Sequence, residues 1–191
     1  MVAKLRYDTP DAWLDVVLAD FDTFLLDHAA CERKASATAM VFVSHYPDKT
    51  ELVDAMIEMA REELEHFHRV HRLLVPRGLV LGQDTKNPYV NRLLKEVRRG
   101  TDEYFLDRLL LTGIIESRGC ERFGMVARGL PPGELKDFYL DITRSESRHH
   151  MLFVRFARQY FPADVVTARL DELLDIEAAI IRELPLRPAV H

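Results

Sequence analysis

Cysteine is scarce in this chain: Cys31 and Cys120 are the two among 191 residues. That is too few for a disulfide framework, or for a zinc or iron–sulfur site made of thiolates alone. No run of 18 or more apolar residues exists, so no membrane-spanning helix is expected. The opening Met-Val-Ala-Lys-Leu-Arg-Tyr-Asp lacks an apolar segment after its basic residues, which predicts no secretory leader. Positive charge is not in excess either. Lys+Arg number 26 against 31 Asp+Glu, a formal net charge of -5. This excludes a globally basic nucleic-acid binder and leaves room only for a local basic patch. Segments alternating with a period of two are nearly missing, so no sheet is expected. What is present is an ordinary globular balance, 48% hydrophobic and 30% charged. The expectation is one cytoplasmic domain over residues 1–191 with a full core.

Proline and glycine punctuate the chain. Thr9-Pro10 reads as a helix start, and the next breakers are Pro47, Pro76-Arg77-Gly78, Asn87-Pro88, Gly129 with Pro131-Pro132-Gly133, and Pro162. Between them lie segments rich in Ala, Leu, Glu, Arg and Met, which are strong helix formers. The predicted helices are roughly 10–45 (open to a bend), 48–75, 88–128 with a break near Gly100-Thr101, 134–160 and 163–183. The longest connection, 77–87, separates two helix pairs. That pattern predicts an all-α, ferritin-like four-helix bundle with an additional C-terminal helix.

The apolar stripes of these helices contain ionisable residues. Around Glu63 the stripe reads Leu52, Met56, Met59, Ala60, Glu63, His66, Phe67, Val70 and Leu74. The 134–160 helix repeats this with Leu135, Tyr139, Ile142, Thr143, Glu146, His149, His150, Phe153 and Ala157. In the first helix Glu32 sits among Leu25, His28, Ala29 and Ala39, and in the third Glu116 sits among Leu109, Thr112, Gly113, Cys120 and Phe123. Buried carboxylates facing one another would repel or protonate. No lysine or arginine shares these stripes, so a metal is the expected counter-charge. Glu from two helices with Glu-x-x-His from two others is the di-iron carboxylate pattern. The i, i+3 spacing sets both donors on one helix face, about 5–6 Å apart at Cβ. Glu32 precedes Glu63 by 31 residues and Glu116 precedes Glu146 by 30, an internal repeat.

A lone Glu-x-x-His is common and usually carries no chemistry. Glu65-x-x-His68 is such a decoy, because its facial neighbours Asp54, Glu58, Arg61, Glu62, Arg69 and Arg72 form a solvated face. His28 and Cys120 read as packing residues on the stripes. Cys31 lies off the stripe, and Tyr139, Met56 and Met59 read as core.

These residues resemble the ferritin-like di-iron superfamily. Within it, the Glu-Glu-Leu-Glu-His-Phe context at 62–67 and the Ser-Glu-Ser-Arg-His-His context at 145–150 are similar to the bacterial tRNA hydroxylases of the MiaE family. The resemblance implies iron ligands at Glu32, Glu63, His66, Glu116, Glu146 and His149. It implies two iron ions, molecular oxygen as co-substrate, and hydroxylation of the isopentenyl group of 2-methylthio-isopentenyl-adenosine in tRNA. It also implies an external electron-donor reductase, and a monomer or small homo-oligomer away from any membrane. Thr112, Gly113 and Thr143, one turn before ligands, either leave room for oxygen and donate a hydrogen bond or permit close helix packing. A polyanionic substrate needs a local basic patch, expected at Arg92, Lys95, Arg98 and Arg99, with Lys86 beside them and Arg118, Arg122, Arg144 and Arg148 nearer the ligands.

Other members of the superfamily fit less well. Rubrerythrins add a Cys-rich module, and this chain has no Cys-x-x-Cys. Ribonucleotide reductase small subunits place a tyrosine where this chain has Val70 or Phe153. A ferroxidase or peroxide-detoxifying ferritin/rubrerythrin-like protein is the alternative enzyme class. A manganese catalase-like protein is a weaker one. A metal-stabilised helical binding module is the non-enzymatic alternative.

Overall fold

The computed structural model describes residues 4–83 and 86–191. Asp84 and Thr85 of the predicted 77–87 connection lie outside the described residues. Among those described there are seven α-helices and no strand: α1 Asp11–Ala19, α2 Phe21–His45, α3 Thr50–Leu74, α4 Pro88–Leu94, α5 Thr101–Gly129, α6 Glu134–Tyr160 and α7 Ala163–Glu183. Among the described residues no helix is long and apolar enough to cross a membrane.

The chain divides into two compact units. One comprises Met1–Leu14, Lys86–Leu186 and His191; the other comprises Asp15–Thr85 and Arg187–Val190. The second unit is the α2–α3 hairpin. Its interior is formed by Phe24, Leu25, Ala29, Phe42, Leu52, Met56, Val70 and Leu74, all nearly inaccessible. The predicted 10–45 helix is two helices here. Asp20 interrupts it, its carboxylate accepting the Thr23 backbone N–H at 3.2 Å as the cap of α2. The apolar period runs on through this position, so periodicity alone does not reveal the break; an aspartate cap does. At the far end α3 tightens into a 3₁₀ turn, Val75–Arg77, and Gly78 ends it at φ 67. That left-handed conformation suits glycine and lets Leu79 N–H bond the Leu74 carbonyl at 3.2 Å.

The other unit is built round α5, which packs against α6, α7 and α4. Because it has neighbours on several sides, α5 is buried on more than one face: Leu106, Leu110, Leu111 and Ile114 are inaccessible as well as Phe105 and Leu109. The break expected near Gly100 is real. Asn87 caps α4 by accepting from Tyr89 and Val90 N–H, and 95–100 then lead into α5. Two glycines of this unit serve close approach. A Cβ on Gly129 would meet Leu14 Cδ2 at 2.8 Å, and one on Gly113 would meet the His150 carbonyl and Phe153 Cβ, each at 3.3 Å. At Gly113, therefore, the small side chain permits close packing of α5 on α6.

Two buried ionic networks pin this unit. Arg118, expected from sequence near a nucleic-acid surface, is fully buried instead. Its Nε reaches Glu177 Oε1 at 2.9 Å and Nη2 reaches Glu177 Oε2 at 3.1 Å. It also donates to the Tyr7 carbonyl at 2.7 Å and to Glu121, while Tyr89 Oη donates to Glu177 at 2.9 Å. Arg122 is buried too, stacked over Trp13 at 4.8 Å. An amphipathic reading treats every arginine as exposed, and α5 escapes that rule because it has packed neighbours on several sides.

The second network centres on Asp107. It accepts from the Arg98 backbone N–H, from Arg98 Nε and Nη2, and from Arg169 Nε and Nη2, at 2.8–2.9 Å. Burial pushes its carboxyl upward, but the two guanidinium groups outweigh that and hold it below the usual aspartate value. A depressed carboxylate contributes stability above its unfolded value, near pH 4, and that stability is lost as pH falls through the folded value. We expect the urea midpoint of the parent protein to fall steeply below about pH 4. Asp107→Asn should be less stable at pH 7 with a flatter acid limb; parallel acid limbs in the two proteins would contradict this.

Candidate metal centre

Each unit brings together one set of side chains that could hold a metal ion. In the hairpin unit, α2 supplies Glu32, and α3 supplies Glu63 and His66 from one turn. All three are at least 96% buried. His66 Nδ1 lies 3.4 Å from Glu63 Oε2 and 3.7 Å from Glu32 Oε2, and ligand atoms of the three fall within 4.8 Å of one another. In the α5-centred unit, α5 supplies Glu116, and α6 supplies Glu146 and His149. His149 Nδ1 lies 3.2 Å from Glu146 Oε2, and these three also offer atoms within 4.8 Å of one another. Glu146 and His149 are buried and Glu116 is half-buried. The decoy pair behaves as the sequence implied: Glu65 and His68 are more than 60% exposed.

The repeat extends beyond the ligands. Ser36, four residues after Glu32, donates its hydroxyl to the carbonyl of Ala60, three residues before Glu63, at 2.9 Å. Cys120, four residues after Glu116, donates its thiol to the carbonyl of Thr143, three residues before Glu146, at 3.5 Å. One hydrogen bond at the same register thus joins the two ligand helices of each unit. Burial pushes the Cys120 thiol up to about 11, with Glu146 and Glu116 acting the same way. The thiol proton is committed to the Thr143 carbonyl. Sequence reading ranked Cys120 as packing; its equal offset with Ser36 from the two glutamates was the signal that it holds the helix register.

The two sets differ one turn before the first glutamate. In α2 that residue is His28, fully buried, its Nε2 2.5 Å from Glu32 Oε1. In α5 it is Thr112, whose hydroxyl donates to the Arg108 carbonyl at 2.7 Å. Thr143 likewise donates to the Tyr139 carbonyl at 2.7 Å. Both threonine protons are thus held by their own helices, leaving an oxygen lone pair as the outward function.

The expected basic patch is partly neutralised. Arg92 pairs with Glu183 at 2.5 Å and Arg98 is held by Asp107, while Lys95 and Arg99 are exposed. Of the four, Arg92 alone lies in α4; Lys95 caps that helix, and Arg98 and Arg99 lie in the connection before α5.

Each set offers two carboxylates and one imidazole on one turn-matched pair of helices. Such hard, oxygen-rich donors with a nitrogen suit a first-row transition ion and disfavour thiophilic metals. A bound cation would also offset the cost of burying two carboxylates side by side. The residues present fit a metal.

Helix hairpins carrying Glu and Glu-x-x-His define the class: an all-α, ferritin-like fold bearing carboxylate–histidine ligand sets. A solved structure, Protein 43 with aldehyde deformylating oxygenase activity from Synechococcus, matches with a TM-score of 0.91 and 33% identity. The match covers 96% of this chain and 92% of that one. Residues 1–191 match the family model described as tRNA-(MS[2]IO[6]A)-hydroxylase (MiaE), and the chain belongs to that family. It is 38% identical to the tRNA 2-(methylsulfanyl)-N(6)-isopentenyladenosine(37) hydroxylase of Pseudomonas putida, over 83% of this chain and 77% of that protein. It is 28% identical to the protein of the same name from Salmonella typhimurium, over 93% of this chain and 83% of that one.

Proposed function

We propose that this chain is a cytoplasmic di-iron monooxygenase that hydroxylates the isopentenyl group of 2-methylthio-isopentenyl-adenosine in tRNA. The observation that carries this is the pair of matched ligand sets in a member of a family named for that reaction. In this reading Glu32, Glu63 and His66 of one unit, and Glu116, Glu146 and His149 of the other, are the ligands for two iron ions. When bound, the iron pair supplies activation of molecular oxygen for insertion of one oxygen atom into a C–H bond. The overall reaction balances as R–H, O₂, two electrons and two protons giving R–OH and water. A separate reductase supplies the electrons, and the working protein is a monomer or small homo-oligomer.

The chain's own side chains set the conditions. Burial of five of the six ligand residues limits the access of bulk water, which protects an oxidising site from unproductive discharge. His28 orients Glu32 through its 2.5 Å contact, so one carboxylate oxygen is committed to the imidazole and the other is directed elsewhere. The Ser36 and Cys120 hydrogen bonds hold each pair of ligand helices in register. Thr112 and Thr143 offer small polar surfaces beside the ligand turns, and their accepting oxygens are the functions left to a substrate or co-substrate.

The test is a single turnover of reduced, iron-loaded protein with ¹⁸O₂ and tRNA carrying the modified adenosine, followed by mass analysis of the nucleosides. One labelled oxygen in the isopentenyl group is expected. Unchanged nucleoside, with alkane and formate formed from a long-chain aldehyde supplied in parallel, would overturn the proposal in favour of the chemistry named for the Synechococcus relative.

A further inference from the structure

The helix α6 has two unlike faces. Its buried face carries Glu146 and His149. On its exposed face Arg144, Arg148, Met151, Arg155 and Arg158 follow one another at steps of four, three, four and three residues. That spacing keeps all five on one side of a helix. From 144 to 158 the one acidic residue is Glu146, on the opposite face, and the helix's other acidic residues, Glu134, Asp137 and Asp141, precede the arginine row. Four guanidinium groups therefore line about 21 Å of helix, at 1.5 Å per residue. They do so in a chain whose formal net charge is -5.

Other arginines are handled differently. Arg92 and Arg98 are paired with carboxylates, and Arg118 and Arg122 are buried. The outer face of α3 interleaves Arg61, Arg69 and Arg72 with Glu58, Glu62 and Glu65, and Arg61 pairs with Glu58 at 3.0 Å. On α6, Arg144, Arg155 and Arg158 make no ion pair among the described residues. Arg148 donates to Ser145 Oγ at 3.2 Å and to the Arg144 carbonyl at 3.4 Å. Arg155 lies over the Phe156 ring at 4.9 Å, which steadies the side chain and leaves its charge outward.

We propose that this outer face of α6 is the docking surface for the phosphate backbone of the tRNA substrate, an assignment that rests on the function proposed above. Arginine forks match phosphate oxygens in pairs, and a row without interspersed carboxylates gives a polyanion an attractive path. Met151, half exposed at the centre of the row, offers an adaptable apolar contact to a ribose or base. One helix then serves both requirements, holding ligand residues inside and the polynucleotide outside.

The experiment measures binding of tRNA carrying the modified adenosine across a salt series, with iron-loaded protein. It compares the parent, the triple variant Arg144→Gln/Arg155→Gln/Arg158→Gln, and the double variant Lys95→Gln/Arg99→Gln. Removing three phosphate contacts should weaken binding at least about tenfold and reduce the slope of log affinity against log salt by roughly 2–3. Retained iron content and helicity establish that the triple variant is folded. Unchanged affinity and slope in the triple variant overturn the assignment, and a loss confined to Lys95→Gln/Arg99→Gln moves the docking surface to the α4–α5 connection. The function is judged separately, by parent turnover on the same tRNA. A parent that binds through α6 but never oxidises the nucleoside overturns the hydroxylase reading and leaves the docking surface standing.

Discussion

Alanine at Glu63, His66, Glu146 or His149 is expected to abolish the paired-iron signal of the anaerobically loaded protein and to lower turnover by at least about 100-fold. Loss of an outer-shell partner alone typically costs 10–100-fold in metal affinity or activity, and a ligand should cost no less. Glu65→Ala and His68→Ala carry the same residue types at the same spacing on the same helix, yet should bind two irons per chain. Their more than 60% exposure makes them the control for register. Metal loss in the control pair would refute the ligand assignment. Thermal unfolding gives a second readout. Metal that binds only the native state stabilises it by about 2.7 kcal/mol at 100 times its dissociation constant. The parent should gain that margin on loading, and the four ligand variants should not.

The largest effect on folding is expected at Arg118. Removing one partner of a buried pair leaves the other charge without compensation, at about 3–5 kcal/mol. Arg118→Ala strands Glu177, which is fully buried and keeps only the Tyr89 hydroxyl among the bonds described for it. Arg118→Lys should fall between parent and alanine variant, because an ammonium keeps the charge but cannot reproduce the forked contacts with Glu177, Tyr7 and Glu121. The double variant Arg118→Met/Glu177→Leu removes both charges and should recover much of the loss. Chemical denaturation at pH 7 measures all three. A loss under 1 kcal/mol in Arg118→Ala would show that the network contributes little.

Much of this protein was legible in one dimension because its signals are local. Helix limits at 134–160 and 163–183 coincide with α6 and α7, since proline and glycine act on the backbone where they stand. The pairing of Glu63 with His66 and of Glu146 with His149 was equally readable, because i, i+3 geometry is a property of a single helix. The bend allowed for within 10–45 is not placed at Asp20 by periodicity, because the apolar period continues across its cap residue.

What the sequence alone determined is thus the helix order, the stripes, and which glutamates and histidines lie on them. Only the tertiary structure decided which charges are buried. Arg118 and Arg122 look like surface residues on a lone helix, but α5 has packed neighbours on several sides and turns them inward toward Glu177 and Trp13. Arg98 is claimed by Asp107, whereas α6 keeps one open face and leaves Arg144, Arg155 and Arg158 exposed. Periodicity reports how a helix divides its own faces. How many of those faces are covered depends on neighbours brought from far along the chain, and that decides whether an arginine is a structural ion or a charge offered to a partner.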